Sequence, residues 1–197
     1  KYADAISAGE RIVASVSKHS RWSLSAHMLL GAQLLDTGES EGAMQYLQTA
    51  LERTAHRFDD HARARCYLHL SRAVGDSAAH VFVAKALSLS DSLGLAPIQW
   101  RACWREAQLA LAEGRREDAG VGFQNGLKAL LRTPPTTAFQ QLRDGFSMTE
   151  EEFFAEFIEF QSTENGPLAA LAVLETVQRR SIARTDYVNQ NAFYKDA

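Results

Sequence analysis

The sequence predicts an all-α protein built from antiparallel helical hairpins. Ala, Leu, Gln, Glu and Arg dominate the composition, and the alternating Val, Thr and Tyr expected of β-strands are nearly absent. Glycine and proline interrupt the helical pattern at intervals, leaving stretches of roughly 12 to 18 residues, the size of one hairpin arm. This regular spacing indicates a repeat. The interruptions fall at Gly38, Gly75-Asp76, Gly94 to Pro97, Gly114, Pro134-Pro135, Asp144-Gly145 and Gly166-Pro167.

Composition and charge exclude several classes of protein. The chain has 197 residues, 46% of them hydrophobic, and a formal net charge of -3. Because no basic field attracts phosphate or anionic lipid, we expect neither direct nucleic-acid binding nor membrane binding. No apolar run reaches the ~18 residues that cross a bilayer, and the start lacks the pattern of a signal peptide. We therefore expect a cytoplasmic protein and, because the sequence begins with Lys1, a piece of a longer one.

The clearest repeat unit runs from Leu24 to Arg53. Gly31 and Ala43 are small where the two arms of a hairpin would cross, and Gly38 permits a tight turn between the arms. Together with Ala50 and four leucines that would fill the space between arms, these positions have the spacing of the tetratricopeptide consensus. The segment therefore resembles that family. His27 stands where the family commonly has tryptophan. The leucines are Leu30, Leu34, Leu47 and Leu51.

Two looser copies follow, from Asp60 to Leu93 and from Trp100 to Arg132. The resemblance implies a right-handed α-solenoid of about 8–10 helices, with three hairpins over 22–133. A helix over 1–18 would be the second arm of a truncated repeat. Further helices over 137–185 would include a fourth hairpin, and 186–197 is expected to be an irregular tail.

The C-terminal part contains an acidic helix with a phenylalanine-rich face. Thr149 and Glu152 form a capping box that predicts its start. Its phenylalanines either pack in the core or dock a partner, and only their exposure separates these alternatives. Thr137 to Arg143 is predicted to be a short helix, and Gly166-Pro167 starts the last helix, with proline at its favoured first position. The phenylalanines are Phe153, Phe154, Phe157 and Phe160.

The resemblance also implies a binding surface. In tetratricopeptide proteins the first arms of successive hairpins line a concave groove that holds a peptide or a protein. Carried onto this sequence, His61, Arg72 and Arg101 would hold an acidic peptide or a terminal carboxylate, and Leu68 and Trp104 would give an apolar anchor. The alternative is that these apolar residues are core and the arginines face solvent. The groove residues are Met28, Leu35, Asp36, His61, Leu68, Arg72, Arg101, Trp104 and Gln108.

The sequence contains no pattern that indicates an enzyme, a metal site or a cofactor. Cys66 and Cys103 lie within helical stretches, where they are expected to behave as small apolar residues. His61, Cys66 and His69 do not share one helical face, since their separations of five and eight residues do not match the helical period. No phosphate-binding or nucleophile motif is present. We therefore predict a non-enzymatic protein with no metal and no cofactor.

A second, shorter resemblance concerns the last helix. Glu175, the basic pair Arg179-Arg180 and Ser181-Ile182 resemble the helix that follows the repeats in tetratricopeptide proteins with a caspase-like CHAT protease. We expect an interaction scaffold, the sensor or regulatory arm of a larger protein, which could also contact its own parent chain. The alternatives are a regulatory segment of a CHAT-type protease, a segment of a multidomain transcriptional regulator and, in a different class, an enzyme hosted on a helical fold.

Overall fold

The computed structural model describes residues 2–17, 20–57, 59–133 and 149–192. These residues form nine α-helices and no β-strand, which confirms the prediction of an all-α protein. The chain divides into two compact units, Lys1–Arg132 and Thr133–Ala197. The helices are α1 Tyr2–Ser15, α2 Arg21–Asp36, α3 Ser40–Arg57, α4 Asp60–Ala73, α5 Asp76–Ser92, α6 Ala96–Ala112, α7 Arg116–Leu131, α8 Glu150–Glu164 and α9 Pro167–Ala192.

In the first unit, each helix packs against the next one along the chain, from α1 through α7. Alternate first arms also touch each other: α2 contacts α4, and α4 contacts α6. Helices α2 and α3, α4 and α5, and α6 and α7 therefore form three hairpins whose first arms lie side by side. This packing is consistent with a solenoid.

Local sequence explains where these helices begin and end. The Ser20 hydroxyl accepts a hydrogen bond from the amide of Trp22, and the Asp59 carboxylate accepts one from the amide of Ala62. Gly38 has φ of 82°, a backbone conformation that glycine adopts without steric cost, and it ends the turn between α2 and α3 as predicted.

The residues predicted to fill the first hairpin are its core. Leu30, Leu34 and Leu47 are buried, and Leu51 is partly buried against the same cluster. At Gly31 the two arms come so close that an added Cβ would lie 3.2 Å from the Ala43 carbonyl oxygen. The predicted small residues are therefore required by close helix contact.

The second unit contains α8 and α9, which pack against each other. The predicted capping box is present, with reciprocal hydrogen bonds between Thr149 and Glu152. The four phenylalanines of α8 are buried, which favours their role as core. The prediction of an irregular tail from residue 186 is wrong as far as Ala192, because α9 continues to that residue. The predicted helix Thr137–Arg143 lies outside the described residues.

Candidate functional site

The first arms α2, α4 and α6 carry the nine residues predicted to line a groove, and the structure separates these residues into two groups. Five side chains are accessible: Asp36 and His61 are exposed, and Leu35, Arg72 and Gln108 are half-buried. The other four are buried. Their exposed fractions are 3% for Met28, 0% for Leu68, 4% for Arg101 and 2% for Trp104.

The buried apolar members have partners inside the first unit. The Cys66 thiol lies 3.6 Å from the Met28 sulfur, which links α4 to α2. Trp104 stacks on Trp100 one turn earlier, with ring centroids 6.1 Å apart and an interplanar angle of 14°. Leu68 and Trp104 therefore have the positions expected of inter-helix core, so a partner has no access to them in this conformation.

Arg101 is buried because its guanidinium has local partners. It lies 4.1 Å from the centroid of the Trp100 ring and donates a hydrogen bond of 2.7 Å to the Pro97 carbonyl oxygen. A buried guanidinium needs such contacts to offset the loss of water. Arg101 was expected to line the groove or to face solvent, but its side chain is buried.

Two accessible arginines connect neighbouring first arms. Arg72 of α4 forms an ion pair of 3.1 Å with Asp36 of α2. Arg105 of α6 donates two hydrogen bonds, of 3.1 and 3.3 Å, to the Ser71 carbonyl oxygen of α4. We call seven accessible residues, which share the helix faces of the predicted groove residues, the first-arm surface: Leu35, Asp36, His61, Arg65, Arg72, Arg105 and Gln108. Other accessible residues of these arms, such as Asp60, Arg63 and Glu106, are not part of it.

His69 is buried close to the arginines of these arms. Its pKa is well below the usual value for histidine, first because the ring is fully buried and then because Arg65, Arg72 and Arg101 are nearby. The imidazole is therefore neutral at physiological pH, and it adds no charge to the arginines around it.

The two thiols are poor nucleophiles in this fold. Burial raises the pKa of both Cys66 and Cys103 to about 12, so the thiolate form is negligible at neutral pH. Within the described ranges, no group of three or more His, Cys, Asp or Glu side chains is placed to hold a metal ion. No helix among those residues is long and apolar enough to cross a membrane.

The second unit has an ion pair that the sequence did not reveal. Arg180 of α9 makes two hydrogen bonds to the Glu150 carboxylate, at 2.7 and 2.9 Å, and a third to the Thr133 carbonyl oxygen. Both side chains are nearly buried. Nothing in the spacing of Glu150 and Arg180, which lie 30 residues apart, indicates that they pair. Arg179, by contrast, pairs with Glu175 on the surface of α9 at 3.7 Å.

Comparison with known proteins does not assign the chain to a family. A scan of protein-family models gives no match, and a search of curated proteins gives no significant match. The two sequence resemblances therefore remain predictions.

Arg65 and Arg105 were missed as surface residues. Their helical spacing could have revealed them, since Arg65 lies one turn after His61 and Arg105 lies one turn after Arg101, and both of those residues were predicted to line the groove.

Proposed function

We propose that this chain is a non-enzymatic interaction scaffold of the tetratricopeptide type, a right-handed solenoid whose first-arm surface binds an acidic segment of a protein. The accessible charges of that surface carry the proposal. Arg65, Arg72 and Arg105 contribute three guanidiniums, and Asp36 is the single carboxylate among the residues that define the surface. Guanidiniums recognise carboxylates through strong, directional hydrogen bonds.

The pair between Arg72 and Asp36 suggests how the surface would respond to a ligand. Both side chains are partly exposed, so their ion pair contributes little to stability and can be exchanged at low cost. A carboxylate of the bound segment would replace Asp36 as the partner of Arg72. Leu35, which is half-buried beside Asp36, would give the ligand a small apolar contact.

Two observations support a binding role over catalysis. The thiols of Cys66 and Cys103 are buried and protonated, as described above. Among the residues that define the first-arm surface, His61 is the one histidine, and a lone exposed histidine is not an acid-base pair. We further propose that the scaffold is the sensor or regulatory arm of a longer protein.

A peptide selection tests the proposal. A random peptide library would be selected against the full chain, and the affinity of selected peptides measured by fluorescence anisotropy. We expect sequences enriched in Asp and Glu with one or two apolar residues, and binding that weakens as salt is added. The double variant Arg65→Gln/Arg72→Gln should weaken binding by about tenfold or more, since two charge-assisted hydrogen bonds are lost.

Two further variants make this test specific. Asp36→Asn releases Arg72 from its ion pair and should strengthen the binding of acidic peptides. Arg11→Gln removes an exposed arginine from α1, away from the first-arm surface, and should leave the affinity unchanged. Selection of neutral or basic peptides, or equal affinities for the double variant and the Arg11 variant, would contradict the proposal.

A further inference from the structure

A polar groove lies on the other side of α6. Helix α6 forms its floor, with Cys103 at the base, and α5 and α7 form its walls around a cavity of about 600 Å³. On a helix with 100° per residue, Gln99, Cys103 and Glu106 point away from the side that carries Arg101, Trp104 and Gln108. The groove is therefore separate from the first-arm surface.

One end of the groove is closed by a chain of hydrogen bonds. Arg132, the residue that follows α7, donates to the Gln99 side-chain oxygen at 2.6 Å, and the Gln99 amide donates to Asp91 of α5 at 3.2 Å. These bonds connect all three helices. They also fix the antiparallel register of α6 and α7. Lys128 lies one turn before Arg132, and Cys103 lies one turn after Gln99. Lys128 and Cys103 are therefore at the same level in the groove.

Four polar side chains line the groove without partners. In the ranges that the structure describes, Ser88, Glu106, Asn125 and Lys128 have neither a hydrogen bond nor an ion pair. By the same register, Glu106 lies level with Asn125, one turn beyond Lys128. The rise of one helical turn separates the two levels by roughly 5 Å along the groove.

Glu106 is exposed in the groove, and the groove walls shield its carboxylate in part from water. Its pKa lies above the usual range, first because of desolvation, which the nearby His80 and Arg115 only partly counteract. Because Glu106 has no ion pair among the described residues, its carboxylate can pair with a bound cationic group, and Lys128 offers the corresponding site for an anionic group.

We infer that this groove binds a short peptide with free termini. Lys128 and the unused donors of Arg132 hold its carboxylate, Glu106 holds its ammonium group, and the amide side chain of Asn125 both donates to and accepts from the peptide backbone. The cavity volume is in the range of small-molecule sites. This inference does not depend on the proposed function, since none of these residues belongs to the first-arm surface.

Isothermal titration calorimetry with three probes tests the inference on the full chain. The probes are trialanine, N-acetyl-trialanine and trialanine amide, which differ only in the charges at the two ends. We expect trialanine to bind and each blocked form to bind at least tenfold more weakly. No heat of binding for trialanine at millimolar concentration, or equal affinity for all three probes, would overturn the inference.

Variants assign each charge to its residue. Lys128→Met should remove the preference for trialanine over trialanine amide, and Glu106→Gln should remove the preference over N-acetyl-trialanine. Lys85→Met and Glu52→Gln change exposed residues of the same types outside the groove and should preserve both preferences. Circular dichroism confirms that each variant is folded. Binding that survives both groove variants with its preferences intact would place the peptide elsewhere and refute the assignment.

Discussion

At the scale of single residues, burial determines which charged side chains stabilise the fold and which remain accessible to ligands. Arg179 and Arg180 are neighbours on α9, yet the side chain of Arg180 is 9% exposed and that of Arg179 is 83% exposed. Arg180 pairs with the nearly buried Glu150, whereas Arg179 pairs with Glu175 in solvent. The same basic dipeptide therefore contains one structural and one surface arginine.

Substitution of Arg180 should destabilise the second unit. Arg180→Gln leaves the Glu150 carboxylate buried without its cation, which costs about 3 kcal/mol. Hydrogen–deuterium exchange of α8 amides, followed by mass spectrometry on the full chain, should therefore accelerate by roughly 100-fold. Arg179→Gln is the matched control and should change exchange by less than about threefold, because exposed pairs contribute little. Similar exchange in both variants would show that the buried pair does not stabilise the unit.

At the scale of helices, the distance between paired arms depends on small residues. The arms of the first hairpin meet at Gly31, where an added Cβ would lie 2.7 Å from the Leu47 Cγ atom. Gly42 lies on the second arm of the same hairpin, and there an added Cβ would meet only the Leu34 Cδ1 atom, at 3.6 Å. Both glycines are helical, so they differ in the space around them and not in backbone conformation.

This difference predicts opposite effects of one chemical change. Gly31→Ala forces the two arms apart and should lower the free energy of unfolding by about 1–3 kcal/mol. Gly42→Ala adds only ordinary van der Waals contact and reduces the entropy of the unfolded chain, so it should raise that free energy by about 0.5–1 kcal/mol. Urea denaturation followed by circular dichroism measures both. A stabilised Gly31 variant would contradict the close approach of α2 and α3.

At the scale of the whole molecule, the chain divides between Arg132 and Thr133. The first unit contains seven of the described helices, all three hairpins and both proposed binding regions. The second unit has two described helices and a smaller set of buried side chains. Since a larger unit buries a greater share of its surface, the first unit is expected to fold without the second.

A fragment covering residues 1–132 should therefore be folded. We expect a helical circular dichroism spectrum, cooperative thermal unfolding, and the same affinity for trialanine as the full chain. The fragment 133–197 should unfold with less cooperativity, because the described residues of the second unit form a smaller core than those of the first. A fragment 1–132 that aggregates, or that unfolds without a cooperative transition, would show that the first unit does not fold independently of the second.

Most helix boundaries follow from local sequence, because helix propensity, capping residues and positive-φ glycine are local properties. It predicted the boundary at Gly38, the capping box at Thr149 and the close crossing at Gly31. It failed at the end of α9, where residues past 185 show no amphipathic period and yet continue the helix.

The accessibility of side chains depends on tertiary contacts, which local sequence does not reveal. Arg101 and Trp104 have the spacing of a first-arm surface, but contacts with Trp100 and Pro97 bury them. The groove between α5 and α7 also escapes sequence reasoning, since Glu106 and Lys128 come together only through the antiparallel register of α6 and α7. Helix formation depends on neighbours along the chain, whereas a binding site depends on which faces of distant helices meet.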